Sequence, residues 1–300
     1  MLCSPPIDDP TAVNGLHGRQ DVGRAAQTAC LLEVSVPKPG NVSPADEFHD
    51  ARFEDFVLSA LAIGPAMAQA HRRPVGETIL RAVRATRRVV ATNTNLGTIL
   101  LFAPLACACG AGSLRVRLRQ VLASLTVEDA RLAYQAIRLA QPGGLGEVAE
   151  HDVRGQVTVP LCEAMASSAE RDAIAREYVT GFSVTFDIAM PALRAWQQRQ
   201  PLRQAVVQTF LSVLAQVPDT LIARKNDMAT AETVARAAAR ALAAGGVTTP
   251  HGRRHVQDLD RSLRRRGNRL NPGTTADFIA AALFAAILEG GFEFLRGPGA

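Results

Sequence analysis

The segment VPKPGNVSPADEFHD, residues 36–50, carries the first side chains that could do chemistry. Prolines on both sides of Lys38 restrict the backbone, so the lysine can be held in place as a ligand for an anion. His49 and Asp50 close the segment. A histidine–aspartate pair can bind a metal ion, act as acid and base, or cap the helix that follows, and the spacing alone leaves these roles open.

The segment QVPDTLIARKND, residues 216–227, places a carboxylate close to two cations, with Asp219 followed by Arg224 and Lys225. A magnesium ion takes few protein carboxylates and bridges phosphate oxygens, whose remaining charge basic side chains neutralise. The segment therefore suits a magnesium–phosphate site, and a surface salt-bridge loop is the alternative.

Two polar loops precede the most apolar stretches of the chain, TNTN at residues 92–95 and NRLNPGTTAD at residues 268–277. A helix N-terminus presents unpaired N–H groups and the positive end of the helix dipole, so each loop can receive an anion or a phosphorylated ligand. The alternative is capping, with Asn or Thr at the first position and Thr274 with Asp277 as a capping box.

A further loop, PGGLGEVAEHDV at residues 142–153, combines glycines with Glu147, His151 and Asp152. These side chains could supply additional metal or ribose contacts. An ordinary helix stop followed by a loop is the alternative.

Helices are expected to position all of these loops. The chain has 300 residues, 47% of them apolar and only 5% aromatic, and apolar residues recur at the helical three-and-four spacing without any useful strand alternation. The stretches over 98–112 and 278–288 are apolar on all sides and must be wrapped by other helices. We predict an all-α protein, a single globular multi-helix bundle with buried central helices over 19–295, preceded by a flexible arm over 1–18.

The formal net charge of +5 comes mainly from an arginine-rich segment, residues 251–269. These arginines could attract the phosphates of a nucleic acid or of a small ligand, or form a solvated helix face. Few aromatic residues accompany them, so we do not expect nucleic acid to be a partner.

The five cysteines have small apolar neighbours and no metal-site spacing, so we expect core residues rather than disulfides. The N-terminus has no basic-then-apolar signal pattern, and the apolar stretches are shorter than the roughly 18–20 residues of a membrane span. We expect a cytoplasmic protein with no membrane partner, and homodimerisation stays open.

Taken in this order, the loops resemble those of the triphosphoribosyl-dephospho-CoA synthase family, over about residues 22–292. EVSVPKPGNVSPADEFHD is similar to the family's glutamate, PKPG and histidine–aspartate opening, and TNTNLGT to its Asn-Thr turn. PDTLIARK is similar to its aspartate–threonine segment with a basic pair, and LNPGTTADFIA to its PGxxAD helix start. PKPG and PGxxAD at this separation form a fairly specific signal.

The resemblance implies an all-α catalytic domain in which ATP loses adenine while its triphosphoribosyl unit passes to a hydroxyl of 3′-dephospho-CoA, with Mg²⁺ as cofactor. The loops and the resemblance together give three groups of candidates. Catalytic candidates are Glu33, Asp50 and Asp219; metal candidates are Asp219, Asp277, His49 and Asp50; substrate- or phosphate-binding candidates are Lys38, Asn41, Asn93, Thr94, Asn95, Arg224, Lys225, Asn271, Gly273 and Thr274.

The chain also departs from the family pattern. Asn95 and Leu96 stand where the synthases usually carry His and a basic residue, and NPGT replaces SPGG. Loss of a charged hydrogen bond is worth about 1.5–3 kcal/mol, so the acceptor or the donor could differ. This version is similar to a branch in archaea and methylotrophic bacteria that is associated with methanopterin biosynthesis. A related ribosyl transferase of that route and a non-catalytic nucleotide-binding relative are the alternatives.

Overall fold

Helices form nearly all regular structure in the computed structural model, which describes residues 18–142, 155 and 157–296. The chain is 73% helical, and no sheet occurs in the described residues, where the isolated bridges Ser43–Asp46 and Phe48–Ala51 are the strand-like pairings. The all-α prediction is confirmed. The α-helices are α1 (Arg19–Ser35), α2 (Phe53–Ala68), α3 (Val75–Val89), α4 (Leu96–Cys107), α5 (Leu114–Ala123), α6 (Val127–Ala140), α7 (Leu161–Ala166), α8 (Ala173–Thr180), α9 (Met190–Gln197), α10 (Leu202–Gln216), α11 (Thr220–Lys225), α12 (Met228–Ala243), α13 (Pro250–Arg264) and α14 (Gly273–Gly290).

The two helices predicted to be central, α4 and α14, form the core of the bundle. Nearly every residue of α4 is buried, and the buried part of α14 runs without a break from Phe278 to Leu288. Phe102 of α4 stacks on Phe284 of α14 with ring centroids 4.4 Å apart. α1 packs against α14 on one side and α10 on another, so both apolar helices are wrapped as their composition requires.

α14 is the one helix in the described part of the chain that is long and apolar enough to cross a membrane. It continues beyond the apolar stretch seen in the sequence, because Gly273–Ala276 form its first turn. Within the bundle 72% of it is buried, as expected of a core helix.

The prediction that the cysteines are core residues is confirmed for the four that the structure describes. Cys30, Cys107, Cys109 and Cys162 are free thiols packed against the hydrophobic core. Burial raises the pKa of the Cys107 thiol to about 12, so this group stays protonated and serves as a small apolar side chain.

Candidate active site

A cavity of about 570 Å³ opens where α1, α4, α11 and α14 begin or end. Its wall includes side chains from every predicted motif within the described residues, so stretches more than two hundred residues apart in sequence meet here. The predicted site residues in the wall are Glu33, Asn41, Asp50, Asn93, Thr94, Asn95, Arg224, Lys225, Asn271, Gly273, Thr274 and Asp277.

Lys38, predicted to bind phosphate, does not reach the cavity. Its side chain is fully buried, and Nζ donates to the carbonyl oxygens of Glu33 and Val36 and lies 3.0 Å from the Glu33 carboxylate. An ammonium group has three donors, and all three are used. The structure therefore corrects the prediction: Lys38 holds Glu33 in place from behind the wall.

Asp219, predicted as a catalytic and metal-binding carboxylate, is also behind the wall. Oδ1 accepts hydrogen bonds from the first turn of α11, Leu221 N at 2.9 Å and Ile222 N at 3.1 Å. Oδ2 accepts from the N–H and hydroxyl of Thr275 at 2.7 and 2.8 Å. Because both oxygens are occupied, the structure assigns Asp219 to joining the N-termini of α11 and α14 rather than to a metal.

His49, a predicted metal ligand, lies outside the cavity wall. Its side chain is 81% exposed, with Nδ1 3.8 Å from Asp50 Oδ1, and Asp50 in turn accepts a hydrogen bond from the amide of Asn268. Among the described residues no group of three or more His, Cys, Asp or Glu side chains could hold a metal ion. A resident ion with an all-protein ligand set does not fit these residues.

The polar loop before α4 caps that helix, which is the alternative given by the sequence. Asn93 Oδ1 accepts from Leu96 N at 3.2 Å, and the buried Asn95 amide donates to Thr86 Oγ1 at 3.3 Å. An anion also occupies this helix N-terminus, but it belongs to the protein. Asp277 of α14 accepts from the Thr98 hydroxyl at 2.6 Å and from the Thr98 backbone N–H.

The proposed capping box in α14 is consequently absent. Thr274 Oγ1 faces α11, 3.2 Å from Leu221 N and 3.3 Å from Thr220 Oγ1, while Asp277 turns toward α4. Two carboxylates thus connect three helices in sequence, with Asp219 at the start of α14 and Asp277 at the start of α4.

The basic side of the cavity is formed by the end of α11. Arg224 Nη1 lies 3.0 Å from Asp172 Oδ2, and Lys225 Nζ donates to the Asn268 carbonyl at 3.0 Å. Burial lowers the pKa of Lys225, opposed by the charge of Asp50. These cations lie where a phosphate entering the cavity could meet them.

Two buried polar atoms in the wall have no hydrogen-bond partner, Arg224 Nε and Asn271 Oδ1. One is a donor and the other an acceptor, and buried polar groups in native proteins are nearly always paired. The orphaned pair therefore fits a ligand that offers an anionic oxygen to Arg224 and an N–H or O–H to Asn271.

Sequence reasoning missed three polar residues of the wall, Arg87, Asp172 and Asn268. Arg87 lies in the last turn of α3, shortly before the TNTN loop, and Asn268 precedes the NPGTTAD motif. Their position beside recognised motifs is the signal that could have found them. Asp172 stands as the N-cap of α8, which the sequence presents as an ordinary helix start.

The arginine-rich segment contributes mainly to structure. Arg264 bonds to Asp260 and donates to the Asn41 carbonyl at 2.8 Å, and Arg269 donates to the Lys225 carbonyl at 2.7 Å. Both arginines hold the loops that build the cavity wall. Glu147, His151 and Asp152 of the glycine-containing loop lie outside the described residues.

Asp277 should make the stability of the protein depend on pH. Burial raises its pKa from 3.8 to about 7, opposed by Thr98 and reinforced by Glu33 and Asp219. The folded protein therefore holds this proton more tightly than the unfolded chain. Its contribution to stability is complete below pH 3.8 and is lost as the pH rises through about 7.

We expect Asp277→Asn to remove this loss, making the variant more stable than wild type at pH 8 by up to about 4 kcal/mol. Urea unfolding at pH 5, 6, 7 and 8 measures the difference, and the two proteins should converge toward acid pH. Parallel stability curves across this range would contradict the assignment.

Fold and cavity define an all-helical protein with a charged small-molecule site at the ends of its central helices. The chain belongs to the CitG family, described as ATP:dephospho-CoA triphosphoribosyl transferase, whose sequence profile matches residues 19–294. It is a transferase of this family.

Individual relatives agree with this family. The chain is 26% identical to a 2-(5''-triphosphoribosyl)-3'-dephosphocoenzyme-A synthase of Klebsiella pneumoniae, covering 92% of this chain and 93% of the relative. It is 24% identical to Protein CitXG of Leuconostoc mesenteroides, over 91% of this chain but only 60% of that longer relative. A crystal structure of a candidate triphosphoribosyl-dephospho-CoA synthase from Archaeoglobus fulgidus matches with a TM-score of 0.61 and 28% identity, covering 77% of this chain and 98% of the other.

Proposed function

We propose that the protein transfers the triphosphoribosyl unit of ATP to a hydroxyl of an acceptor such as 3′-dephospho-CoA, with release of adenine. The observation that carries the proposal is the convergence of the family's motifs on one cavity that has cations on one side and carboxylates on the other. Family membership supplies the reaction class.

The chemistry makes two demands that this arrangement meets. Breaking the C1′–N9 bond builds positive charge on the ribose, so the anionic triphosphate must be held by cations away from that carbon. The acceptor hydroxyl must also lose its proton. We assign the triphosphate to Arg224 and Lys225 and the ribose to the carboxylate side near Glu33 and Asp277, at opposite parts of the same wall.

Magnesium enters this proposal as part of the substrate. Mg²⁺ commonly binds through substrate phosphates and one or two carboxylates and keeps several waters. Asp50 fits this need, because it is exposed and lies in the wall together with Lys225. When bound, the ion would neutralise charge on the triphosphate.

The departures in the second loop keep a different acceptor in view. Asn95 is buried and bonded to Thr86, so no charge is offered where the family usually has one. A pterin precursor of one-carbon cofactor biosynthesis that carries a free hydroxyl is the alternative acceptor.

The test is incubation with ATP and Mg²⁺, with and without 3′-dephospho-CoA, followed by chromatography for free adenine and mass spectrometry for the ribosylated acceptor. We expect adenine only when the acceptor and Mg²⁺ are both present. Adenine formed only with a pterin acceptor would keep the reaction class and change the substrate. ATP binding without adenine release from any acceptor would identify a non-catalytic relative.

Arg224→Ala is expected to raise the KM for MgATP about 10- to 100-fold, because one charged hydrogen bond is worth about 1.5–3 kcal/mol. Steady-state kinetics at saturating acceptor give the value. Arg261→Ala is the matched control, since Arg261 is exposed on α13 and pairs with Asp258 outside the cavity. An unchanged KM in Arg224→Ala would remove Arg224 from the triphosphate site.

A further inference from the structure

The carboxylates in the cavity wall differ in their partners. Glu33 and Asp172 each lie 3.0 Å from a cation, and Asp50 accepts from an amide and lies beside His49. Asp277 forms no ion pair within the described part of the chain; its partner is the neutral residue Thr98. The described residues supply four carboxylates to the wall: Glu33, Asp50, Asp172 and Asp277.

An ionised carboxylate that is buried without a cation is costly, so Asp277 gains and loses its proton more readily than its paired neighbours. The groups that face it oppose its ionisation or are neutral. Glu33 of α1 and Asp219 before α11 add negative charge, and the Cys30 thiol of α1 stays protonated because burial raises its pKa. Thr98 of α4 is the one partner that favours the carboxylate.

Building on the proposed function, we propose that Asp277 is the catalytic residue that accepts the proton of the acceptor hydroxyl. Glu33 and Asp172 are poorer candidates, because neutralising either would leave its cationic partner unpaired in the wall. Thr98 is then a positioning residue, since its hydroxyl fixes one oxygen of Asp277.

The step balances as follows. The O–H bond of the acceptor breaks and its proton moves to Asp277, while the oxygen forms a bond to C1′ of the ATP ribose. The C1′–N9 bond breaks, and its electron pair leaves with adenine. Asp277 releases its proton through solvent to adenine, so the acceptor proton ends on the leaving base and the enzyme is regenerated.

The wild-type enzyme should show a kcat that rises with pH through an apparent pKa near 7 and then levels off. Asp277→Asn should lower kcat about 100-fold or more and abolish this pH dependence, while calorimetry shows that MgATP still binds. In Asp277→Ala, added formate should restore part of the activity, because the small carboxylate can enter the space left by the side chain.

Thr98→Val gives a readout that a purely structural role would not produce. Removing the hydroxyl that favours the ionised form should shift the apparent pKa of kcat upward. This variant and the wild-type profile decide the question even if Asp277→Asn fails to fold.

The outcomes separate the two proposals. Adenine release by wild type with a kcat in Asp277→Asn above about a tenth of normal, or a pKa unmoved in Thr98→Val, overturns the role of Asp277 and leaves the transferase proposal intact. Absence of adenine release by wild type with every acceptor overturns both.

Discussion

Gly97→Ala is expected to abolish most transfer activity and to destabilise the protein, although alanine is the better helix former. Gly97 is the second residue of α4, and an added Cβ would overlap Asp277 Oδ2 and lie 2.7 Å from its Cγ. The gain in helix propensity is at most about 1 kcal/mol, whereas overpacking in a core costs about 1–3 kcal/mol. Overpacking therefore decides the sign.

The larger effect should be on catalysis. The overlap must move Asp277 off the N-terminus of α4 or separate α4 from α14, and either shift removes the carboxylate from its place beside Thr98. We expect kcat to fall by about 100-fold, comparable to loss of the proton acceptor. Kinetics and urea unfolding on the same preparation measure both effects.

Gly290→Ala is the matched control, because a Cβ there would meet Phe294 at 3.4 Å, an ordinary contact at the other end of α14. It should retain wild-type kinetics. Gly97→Ala with normal kcat and stability would show that Asp277 does not need its close approach to α4.

Asp219→Ala is expected to lower the free energy of unfolding by about 3–5 kcal/mol, since each buried donor left without an acceptor costs about 1–3 kcal/mol. The change removes acceptors from the N–H groups of Leu221, Ile222 and Thr275 and from the Thr275 hydroxyl. Because a protein of this kind has only about 5–15 kcal/mol in total, this is a large fraction. Urea unfolding measures the loss.

Asp227→Ala provides the comparison, because Asp227 also caps a helix but is exposed and accepts a single backbone hydrogen bond, from Thr230 N. It should cost only about 1 kcal/mol. Equal losses in the two variants would contradict the helix-joining role of Asp219. A stable Asp219→Asn variant that had lost its response to Mg²⁺ would restore the metal role predicted from sequence.

Much of the fold follows from local pattern. Apolar spacing along α2 and the unbroken apolar runs of α4 and α14 predict helices and their burial, because a helix brings residues three and four apart onto one face whatever lies around it. The polar loops before α4 and α14 likewise predict helix starts and a site beside them. Most of the predicted site residues do line the cavity.

The roles of the charged residues depended on distant partners. By itself the sequence determined the helices, the buried centre and the set of motifs, since these rest on short-range spacing. Only the tertiary structure decided that Lys38 and Asp219 are saturated by hydrogen bonds behind the wall, while Asp277 faces the cavity without a cation. The reason is that a buried charge is governed by the groups that folding brings against it, and for Asp277 those lie on α1 and α4, far away in the chain.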